Sequence, residues 1–399
     1  MSAHDLVIIG AGPAGATAAI TAARAGASVM LLDKATFPRD KCCGDGLTAL
    51  ALRELDHLGL DPARLPTWQA IDSVAVRSPD GRHANLALPS GSGLHAAVVR
   101  RAELDAELVS MAVEAGAQLV EGAVFSSLSD PAGDTLTVTC ADGTAHEARH
   151  VIAADGMWSP VRRHLGLTPD GYRGEWHAFR QYFTATGEQS RRLWVWFEPD
   201  LLPGYAWSFP LADGRINVGF GVVRNGGLDG GELKRIWAGL LNRPHVREVV
   251  GDVVPEGVHK AWPIPANMPS ATLAHGRVLF VGDAATVTDP MTGEGIGQAI
   301  ETGRLAAQAC LIAGGATAGE MYEQSARKSL QLDHRFADLL GKMLSRTRLT
   351  TAALRAVNVN DWTRRNFARW MFEDYPRAAL FTPRRWSALR SNSGAFVDR

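Results

Sequence analysis

The sequence is poor in the features that mark several special classes of protein. Its 399 residues include only four cysteines, and Cys42 and Cys43 are adjacent, so a disulfide scaffold is not expected. This usage is typical of a reducing compartment, and we expect a cytoplasmic protein. The 12 histidines are scattered and no C-x-x-C pair occurs. No G-x-S-x-G segment is present either. The sequence therefore predicts neither a metal centre nor the nucleophile turn of a hydrolase.

A dominant charge and an uninterrupted hydrophobic run are also absent. The 41 Lys and Arg residues nearly balance the 42 Asp and Glu residues, so no overall positive field indicates a nucleic-acid partner. Residues Leu6 to Ala23 carry no charge, but Gly10, Gly12, Pro13 and Gly15 interrupt them, and no basic segment comes first. This stretch is better interpreted as a buried strand, a turn and a helix.

The N-terminal part does contain a complete β-α-β pattern. An apolar run at 6–9 precedes the turn Gly10-x-Gly12-x-x-Gly15, an alanine-rich stretch follows, and the next apolar run ends in Asp33. In this fingerprint the glycines let a pyrophosphate approach the backbone at a helix N-terminus. The acidic residue accepts hydrogen bonds from a ribose diol, which favours NAD or FAD over NADP. Dinucleotide binding is predicted for Gly10, Gly12, Pro13, Ala14, Gly15 and Asp33.

Two later segments resemble motifs of the flavoprotein hydroxylases and their relatives. Segment 154–162 contains Asp155-Gly156 and resembles their Asp-Gly motif, and segment 282–296 begins with Gly282-Asp283 and resembles their Gly-Asp motif. The resemblance implies that Asp283 binds the flavin ribityl chain, and that the following loop and helix present N–H groups to the flavin ring. It also implies that Arg101 reaches the ribityl–phosphate region. With the three motifs in this order, the expected cofactor is FAD.

The most specific resemblance is to the geranylgeranyl reductase family of FAD enzymes. Segment 38–44, Pro-Arg-Asp-Lys-Cys-Cys-Gly, is similar to the family's Pro-Arg-x-Lys-x-Cys-Gly. Segment 205–210, Tyr-Ala-Trp-Ser-Phe-Pro, matches its Tyr-x-Trp-x-Phe-Pro motif, and Gly219-x-Gly221 follows. The menaquinone reductases of actinobacteria are similar throughout, although they usually continue with Pro-Arg where Ala49-Leu50 stand here.

This resemblance implies an α/β fold, in which a Rossmann-like FAD-binding domain of the glutathione-reductase type carries an inserted β-rich substrate domain and a helical C-terminal region. Short strand-like segments with tryptophans and Gly or Pro turns support the β-rich part. A long helix is predicted from Ile296 to Ile312. The expected boundaries are 1–70, 94–172 and 266–320 for the FAD-binding domain, 71–93 and 173–265 for the substrate domain, and 321–399 for the helical region.

The resemblance also implies an activity. Members of the geranylgeranyl reductase family reduce isolated C=C bonds of prenyl chains, which requires a hydride from flavin N5, a proton and a water-poor site. Cys43 is implied near the flavin as a catalytic candidate, and a buried inert thiol is the alternative. Tyr205 and Trp207 are implied in the substrate site; both share one strand face with Phe209, which core packing would explain equally well. The other residues implied at FAD are Lys34, Arg39, Gly44, Pro290, Gly293, Glu294, Gly295 and Ile296.

Other functions stay open from the sequence. The FAD motifs also serve monooxygenases, so a hydroxylase that tailors a natural product is an alternative, and a halogenase a weaker one. Trp194-Val-Trp196 imitates the halogenase Trp-x-Trp-x-Ile-Pro motif, but Glu198 replaces the isoleucine, and we interpret it as coincidence. A flavin-binding protein without activity is the third class. Because no second dinucleotide fingerprint occurs, an external donor is expected, either NAD(P)H or a separate reductase.

The C-terminal region differs from the rest in charge. From Met321 onward the chain has 15 Lys and Arg against 7 Asp and Glu. A peripheral membrane contact fits this pattern, but solvated helices that pack their aromatic residues inward are favoured. The aromatic residues among the basic ones are Trp362, Phe367, Trp370, Phe372 and Trp386.

Overall fold

A computed structural model describes residues 3–91, 93–224, 230–374, 378 and 394–397. Sheets and the helices that cover them make up most of these residues. In chain order the strands and helices are β1 (His4–Ile9), α1 (Pro13–Arg24), β2 (Val29–Asp33), β3 (Gly46–Leu47), α2 (Ala49–His57), β4 (Gln69–Ala70), β5 (Ser73–Arg77), β6 (His83–Ala87), β7 (Ala97–Val98), α3 (Arg101–Glu114), β8 (Gln118–Glu121), β9 (Phe125–Leu128), β10 (Leu136–Cys140), β11 (Ala145–Ala153), α4 (Pro160–His164), β12 (Trp176–Ala185), β13 (Leu193–Trp196), β14 (Tyr205–Pro210), β15 (Arg215–Val223), α5 (Gly230–Leu240), α6 (Pro244–Val250), β16 (Val253–Ile264), β17 (Ala274–His275), β18 (Val278–Phe280), α7 (Ile296–Ile312), α8 (Ala316–Leu344), α9 (Thr347–Val357) and α10 (Asp361–Met371).

The first large sheet brings the predicted motifs to one edge. Its strand order is β17-β18-β11-β1-β2-β8, and β1 is parallel to both β2 and β11, which in turn is parallel to β18. The apolar run of β1 is buried, as a strand covered by helices on both faces requires. Since carboxyl ends of parallel strands meet at one edge, the segments after β1, β2, β11 and β18 lie side by side there.

The second large sheet is antiparallel for most of its width. Its order is β16-β12-β15-β14-β13-β5-β6, so strands from 73–87 complete a sheet built mainly from 176–264. One face packs beneath α5 and α6, with Trp194 and Trp196 in that core. The opposite face carries Tyr182, Trp207 and Phe209. The tryptophans of the halogenase-like segment therefore lie in a core on the face opposite to Trp207.

Two local expectations differ from the structure. Helices α5 and α6 interrupt the region 173–265, where only short strands were expected, because apolar side chains at helical spacing such as Leu233 and Leu240 cover the outer sheet face. The sequence also predicts a strand at 94–99, of which the structure forms only β7, in a small sheet ordered β3-β7-β4. Strand β2 ends with Asp33, where the sequence places the end of the second strand.

The C-terminal helices pack against both large sheets. Helix α7 has the predicted bounds and packs on α1, while α10 packs beside β6. Ala368 and Trp370 of α10 are buried, as the inward-packing interpretation expects, but Trp362 is 71% exposed. Trp386 lies outside the described residues. No helix in the described ranges is long and apolar enough to cross a membrane.

Candidate active site

The shared strand edge opens into a cavity of ≈ 600 Å³. Its walls come from the first sheet on one side and from β12, β14 and β16 of the second sheet on the other. The predicted site residues that line it are Gly10, Gly12, Pro13, Ala14, Asp33, Lys34, Arg39, Cys43, Gly44, Arg101, Asp155, Gly156, Tyr205, Trp207, Gly282, Asp283, Gly293, Glu294, Gly295 and Ile296. Gly15 and Pro290 are not among the lining residues.

The first phosphate-binding element is the N-terminus of α1. Gly10 has φ +100° and Gly15 packs so closely on it that a Cβ there would come within 1.8 Å of the Gly10 carbonyl oxygen. Gly15 thus keeps helix and turn together rather than facing the cavity. No side chain caps the helix, so its first N–H groups point to the cavity with the positive end of the helix dipole. The Arg39 guanidinium lies beside Gly12, which adds positive charge where a pyrophosphate would bind.

Asp33 is held by the same turn. Its carboxylate accepts hydrogen bonds from the backbone N–H groups of Ala11 at 2.7 Å and Ala35 at 2.8 Å. These bonds orient the side chain at the cavity wall. Each carboxylate oxygen keeps a second lone pair, so bonds from a ribose diol remain geometrically available.

The second element is the N-terminus of α7 with the loop before it. Gly295 is the N-cap and no side chain caps the helix. The Asp289 carboxylate accepts bonds from the N–H groups of Met291 and Thr292 at 3.0 and 2.8 Å, which shapes the loop. The Pro290 carbonyl accepts a bond from Trp176 Nε1 at 3.0 Å, so Pro290 ties the loop to the second sheet.

Two carboxylates at this edge are suited to an incoming polar group. Asp283 lines the cavity, and within the described part of the chain its side chain has no ion-pair or hydrogen-bond partner. Asp155 accepts a bond from the N–H of Val161 through Oδ2, while its buried Oδ1 has no partner among the described residues. Burial raises the pKa of Asp155 to about 6. Both groups fit a cofactor that brings hydroxyl or N–H donors.

The buried carboxylate of Asp105 fixes the side chain of Arg101. Its guanidinium donates to both carboxylate oxygens of Asp105, at 2.8 and 2.9 Å, and Arg39 pairs with the same carboxylate at 3.0 Å. Asp105 is fully buried, and its charge, with the neighbouring Cys43, raises the pKa of Arg101 although burial opposes this. A lasting positive charge therefore stands beside the Cys43 thiol.

The segment after Cys43 is held by a buried polar network that sequence reasoning missed. Asp45 has the left-handed φ of +68°, and its carboxylate accepts bonds from Tyr182 Oη at 2.5 Å and Asn217 Nδ2 at 2.8 Å. Asn217 also donates to the Cys43 carbonyl at 2.9 Å and accepts from Trp207 Nε1 at 3.1 Å. Asn217 thus joins the Cys43 loop to the aromatic side chain opposite. Burial raises the pKa of Asp45 to about 6.

Cys43 carries a protonated thiol at this junction. Its Sγ accepts a hydrogen bond from the Asp45 N–H at 3.3 Å. Burial raises the pKa of Cys43 to about 12, and that of Cys42 to about 11. The S–H group of Cys43 therefore keeps its proton at neutral pH at the wall of the cavity.

Aromatic side chains of β14 form the opposite wall, which we call the aromatic wall: Tyr205, Trp207 and Phe209. Ring centres of neighbouring members are 5.9 Å apart. Tyr205 donates to the Thr292 carbonyl at 2.5 Å, which fixes the wall to the loop before α7. A Cβ on Gly219 would come within 2.4 Å of Trp207 Cζ2, so the glycine of the Gly-x-Gly motif makes room for the indole.

Lys41 and Trp262 complete this part of the cavity and were not predicted. The Lys41 ammonium lies 4.0 Å from the centre of the Trp262 ring. Its neighbours Arg180 and Lys260 both pair with Asp40, whereas Lys41 forms no ion pair within the described part. Burial lowers the pKa of Lys41. It is therefore a cation on a mainly apolar wall, available to a polar atom of a bound molecule.

A second cavity of ≈ 110 Å³ lies behind the aromatic wall. Tyr205, Phe209, Thr292 and Glu294 line both cavities. The remaining lining residues of the second cavity are mostly apolar. They come mainly from β13, α8, α9 and α10, with Leu354, Phe367 and Trp370 among them, and partly from β3 and from loops. Its position behind Tyr205 and Phe209 makes it an apolar extension of the larger cavity.

His146 and His150 are four residues apart, but on the extended strand β11 that spacing corresponds to about 13 Å. The described residues contain no group of three or more potential metal ligands.

Taken together, two helix N-termini without a side-chain cap, Arg39, Asp33 and Asp283 form a cradle that fits the phosphates, ribose and ribityl chain of FAD. The family described as "FAD binding domain" matches residues 3–321. The chain belongs to this family. The prediction of FAD as cofactor is thereby confirmed, and the protein is an FAD-dependent oxidoreductase.

Individual relatives narrow the comparison. Menaquinone reductase of Mycobacterium tuberculosis is 36% identical over 330 residues, which are 76% of each chain. Digeranylgeranylglycerophospholipid reductase 2 of Methanopyrus kandleri is 33% identical over 311 residues, again 76% of each chain. The predicted resemblance to the geranylgeranyl reductase family is confirmed by these matches.

Solved structures share the fold. A geranylgeranyl bacteriochlorophyll reductase-like protein of Thermoplasma acidophilum superposes with a TM-score of 0.78 at 22% identity, over 90% of this chain and 92% of that chain. Halogenase PltM in complex with phloroglucinol and FAD gives a TM-score of 0.72 at 16% identity, over 96% of this chain and 85% of that chain. These superpositions confirm the predicted fold class, which the reductase-like protein and the halogenase share.

Proposed function

We propose that the protein is an FAD-dependent reductase that saturates C=C bonds in the polyprenyl chain of a lipid or quinone. NAD(P)H is the proposed source of electrons. The observation that carries the proposal is the aromatic wall, which faces the flavin-binding edge on one side and an apolar cavity on the other. A long hydrocarbon chain suits such an extended apolar path, whereas a compact polar substrate would leave the second cavity empty.

Each end of the cradle has a proposed role toward FAD. The N-terminus of α1 with Arg39 would bind the pyrophosphate, Asp33 the ribose, and Asp283 the ribityl hydroxyls. The N-terminus of α7, with Gly295 as its N-cap, would direct its positive end to the ring and so stabilise negative charge there. The cofactor supplies a hydride for the alkene when it is bound and reduced.

The substrate side would orient the alkene and exclude water. Trp207 is 5% exposed and is held by Asn217, and Tyr205 is held by the Thr292 carbonyl, so the aromatic wall is preorganised. Apolar surroundings keep water from competing at the reacting carbon. These residues would position one double bond over the flavin-binding edge at a time.

The proposed proton source is the Cys43 thiol. The chemistry needs a proton on one alkene carbon for every hydride on the other. Cys43 retains its proton at neutral pH because burial raises its pKa to about 12, and the Asp45 N–H bond at Sγ leaves the S–H hydrogen directed elsewhere. The neighbouring Arg101 would stabilise the thiolate left after transfer.

A single-turnover experiment tests the proposal. The bound FAD is photoreduced without oxygen and mixed with a prenylated quinone or a geranylgeranyl lipid, and the lipid is analysed by mass spectrometry. We expect a gain of two hydrogen atoms per flavin oxidised. A product that gains one oxygen atom after oxygen is admitted, with no hydrogenated lipid, would identify a monooxygenase instead.

The role of Cys43 has its own test with a matched control. Cys43→Ala should slow flavin oxidation by the lipid while FAD binding is retained, and Cys140→Ala, at a buried cysteine outside the cavity, should leave the rate unchanged. Equal rates for Cys43→Ala and the unaltered enzyme would remove Cys43 from the reaction.

A further inference from the structure

Apolar side chains are exposed along the C-terminal helices beyond what a surface facing water requires. They are Leu339 (59%) and Met343 (51%) of α8, Leu349 (39%) of α9, Val359 (71%) and Trp362 (71%) of α10 and the turn before it. Leu339 and Met343 are four residues apart on one helix and so share a face. We call these five side chains the docking face.

The charge of the segment from the end of α8 to α10 is one-sided, whereas α8 itself is balanced and its Lys342 pairs with Asp338. Between residues 339 and 371 the chain has seven Lys and Arg and one acidic residue, Asp361. Arg346, Arg348 and Arg365 form no ion pair with any described residue, and all are exposed. Arg355 and Arg364 pair with Asp80 and Asp361 respectively. A free positive field therefore surrounds the apolar residues of the docking face.

The docking face lies on the helices that cover the second cavity. Leu344 of α8, Leu354 of α9 and Phe367 of α10 point inward and line that cavity, while the docking face points outward from the same helices. Only the thickness of these helices separates the outer surface from an apolar space that borders the aromatic wall. This arrangement suits a ligand that arrives from an apolar phase.

We propose that the docking face binds the surface of a bilayer containing anionic phospholipids, and that the polyprenyl chain of the substrate enters between α8, α9 and α10 into the second cavity. The proposal about entry rests on the proposed function; the binding surface does not. Exposed arginines attract anionic head groups, and Trp362 with its apolar neighbours inserts at the head-group level. A second copy of this chain would match the apolar residues but would bring like charges together.

Vesicle co-sedimentation of the FAD-loaded protein tests the surface. We would compare vesicles of phosphatidylcholine with vesicles of equal parts phosphatidylcholine and phosphatidylglycerol. Binding should require phosphatidylglycerol and weaken as salt is raised to about 1 M, where the Debye length falls to about 3 Å. The variant Trp362→Ser with Arg348→Glu and Arg365→Glu should bind at least about thirtyfold more weakly, since each basic residue contributes about fivefold.

A matched control lies at the opposite edge of the second sheet. Val258 of β16 is 77% exposed, and Arg235 and Arg247 are exposed on α5 and α6. The variant Val258→Ser with Arg235→Glu and Arg247→Glu reverses the same number of charges and removes one exposed apolar side chain, and should bind vesicles like the unaltered protein. FAD content per chain and far-UV circular dichroism report that both variants fold.

Several results would overturn the proposal. One is equal binding to both vesicle types, and another is equal weakening of binding by the control variant. A third is a dimer in sedimentation that dissociates only in the Trp362 variant. Failure of the hydrogenation test with normal vesicle binding would reject the proposed function and leave the docking face intact. Normal hydrogenation of detergent-dispersed lipid without vesicle binding would reject the docking face alone.

Discussion

Asn217 offers the sharpest test of how the Cys43 loop and the aromatic wall depend on each other. It is fully buried and makes three hydrogen bonds, to the Cys43 carbonyl, to Asp45 and with the Trp207 indole. Asn217→Leu preserves the branched shape but removes all three. The indole N–H and the Cys43 carbonyl would then be left without a partner inside the protein.

The loss of stability in Asn217→Leu follows from these two unpaired groups. A buried polar group without a partner costs about 1–3 kcal/mol, so Asn217→Leu should lower the free energy of unfolding by about 2–6 kcal/mol. Trp207→Phe removes the donor instead and leaves Asn217 Oδ1 without its bond. In the double variant both members of that bond are gone, so its cost should be smaller than the sum of the single costs by about 1–3 kcal/mol.

Urea unfolding of the flavin-free proteins, followed by far-UV circular dichroism, gives the cost in free energy of unfolding for each single variant and for the double variant. The smaller ring of phenylalanine affects the single and the double variant alike, so its effect cancels in the cycle. Costs that add to within about 0.5 kcal/mol would show that Asn217 and Trp207 are not coupled. The account of the preorganised wall would then be wrong.

Three further predictions concern other parts of the cavity. Asp283→Ala should weaken FAD binding about ten- to hundredfold in an FAD titration, because charge-assisted hydrogen bonds are lost. The control Asp142→Ala, at an exposed residue, should leave the affinity unchanged. Equal affinities for both variants would reject the role of Asp283. Gly219→Ala forces a Cβ within 2.4 Å of Trp207 and should lower the free energy of unfolding in urea by about 1–3 kcal/mol. Gly239→Ala, with open space around it, should not lower it. An unchanged free energy for Gly219→Ala would contradict the described packing of Trp207. The folded chain raises the pKa of Asp155 to about 6 and so holds its proton more tightly than the unfolded chain. Asp155 should therefore lower the free energy of unfolding of the flavin-free protein by at most about 3 kcal/mol as the pH rises from about 4 to about 6. Asp155→Asn should remove this contribution and leave that of Asp45, whose pKa is also raised to about 6; identical pH profiles for both proteins would refute the role of Asp155.

The fold was predictable where a local pattern coincides with burial. The apolar run of β1, the glycine turn and Asp33 each point to the same β-α-β unit, and α7 has the bounds that its sequence predicts. Helices α5 and α6 were missed because turn residues around them favoured strands, whereas the need to cover Trp196 on the outer sheet face decides their structure. Strand β7 is short because pairing partners, not propensity, limit it.

The site was predictable only through motifs that stay contiguous in sequence. The glycine turn, Asp283 and Trp207 each lie within such a motif and line the cavity. The roles of Asn217 and Asp45 were not predicted because their partners are distant in sequence. Asn217 lies 174 residues from Cys43 and 172 residues from Asp45. One signal was present: Asn217 is the single polar residue between Ile216 and Val223 in a buried strand, and a lone buried amide needs partners.

The hydrogenation experiment tests the central claim most directly. Photoreduced enzyme is mixed without oxygen with a prenylated quinone, in deuterated water, and the recovered lipid is analysed by mass spectrometry together with the flavin absorbance. We expect one saturated C=C bond per flavin oxidised, in a prenyl chain that remains otherwise unchanged. Flavin that stays reduced in the presence of every prenylated lipid offered, or that reacts only with oxygen to give an oxygenated product, would contradict it.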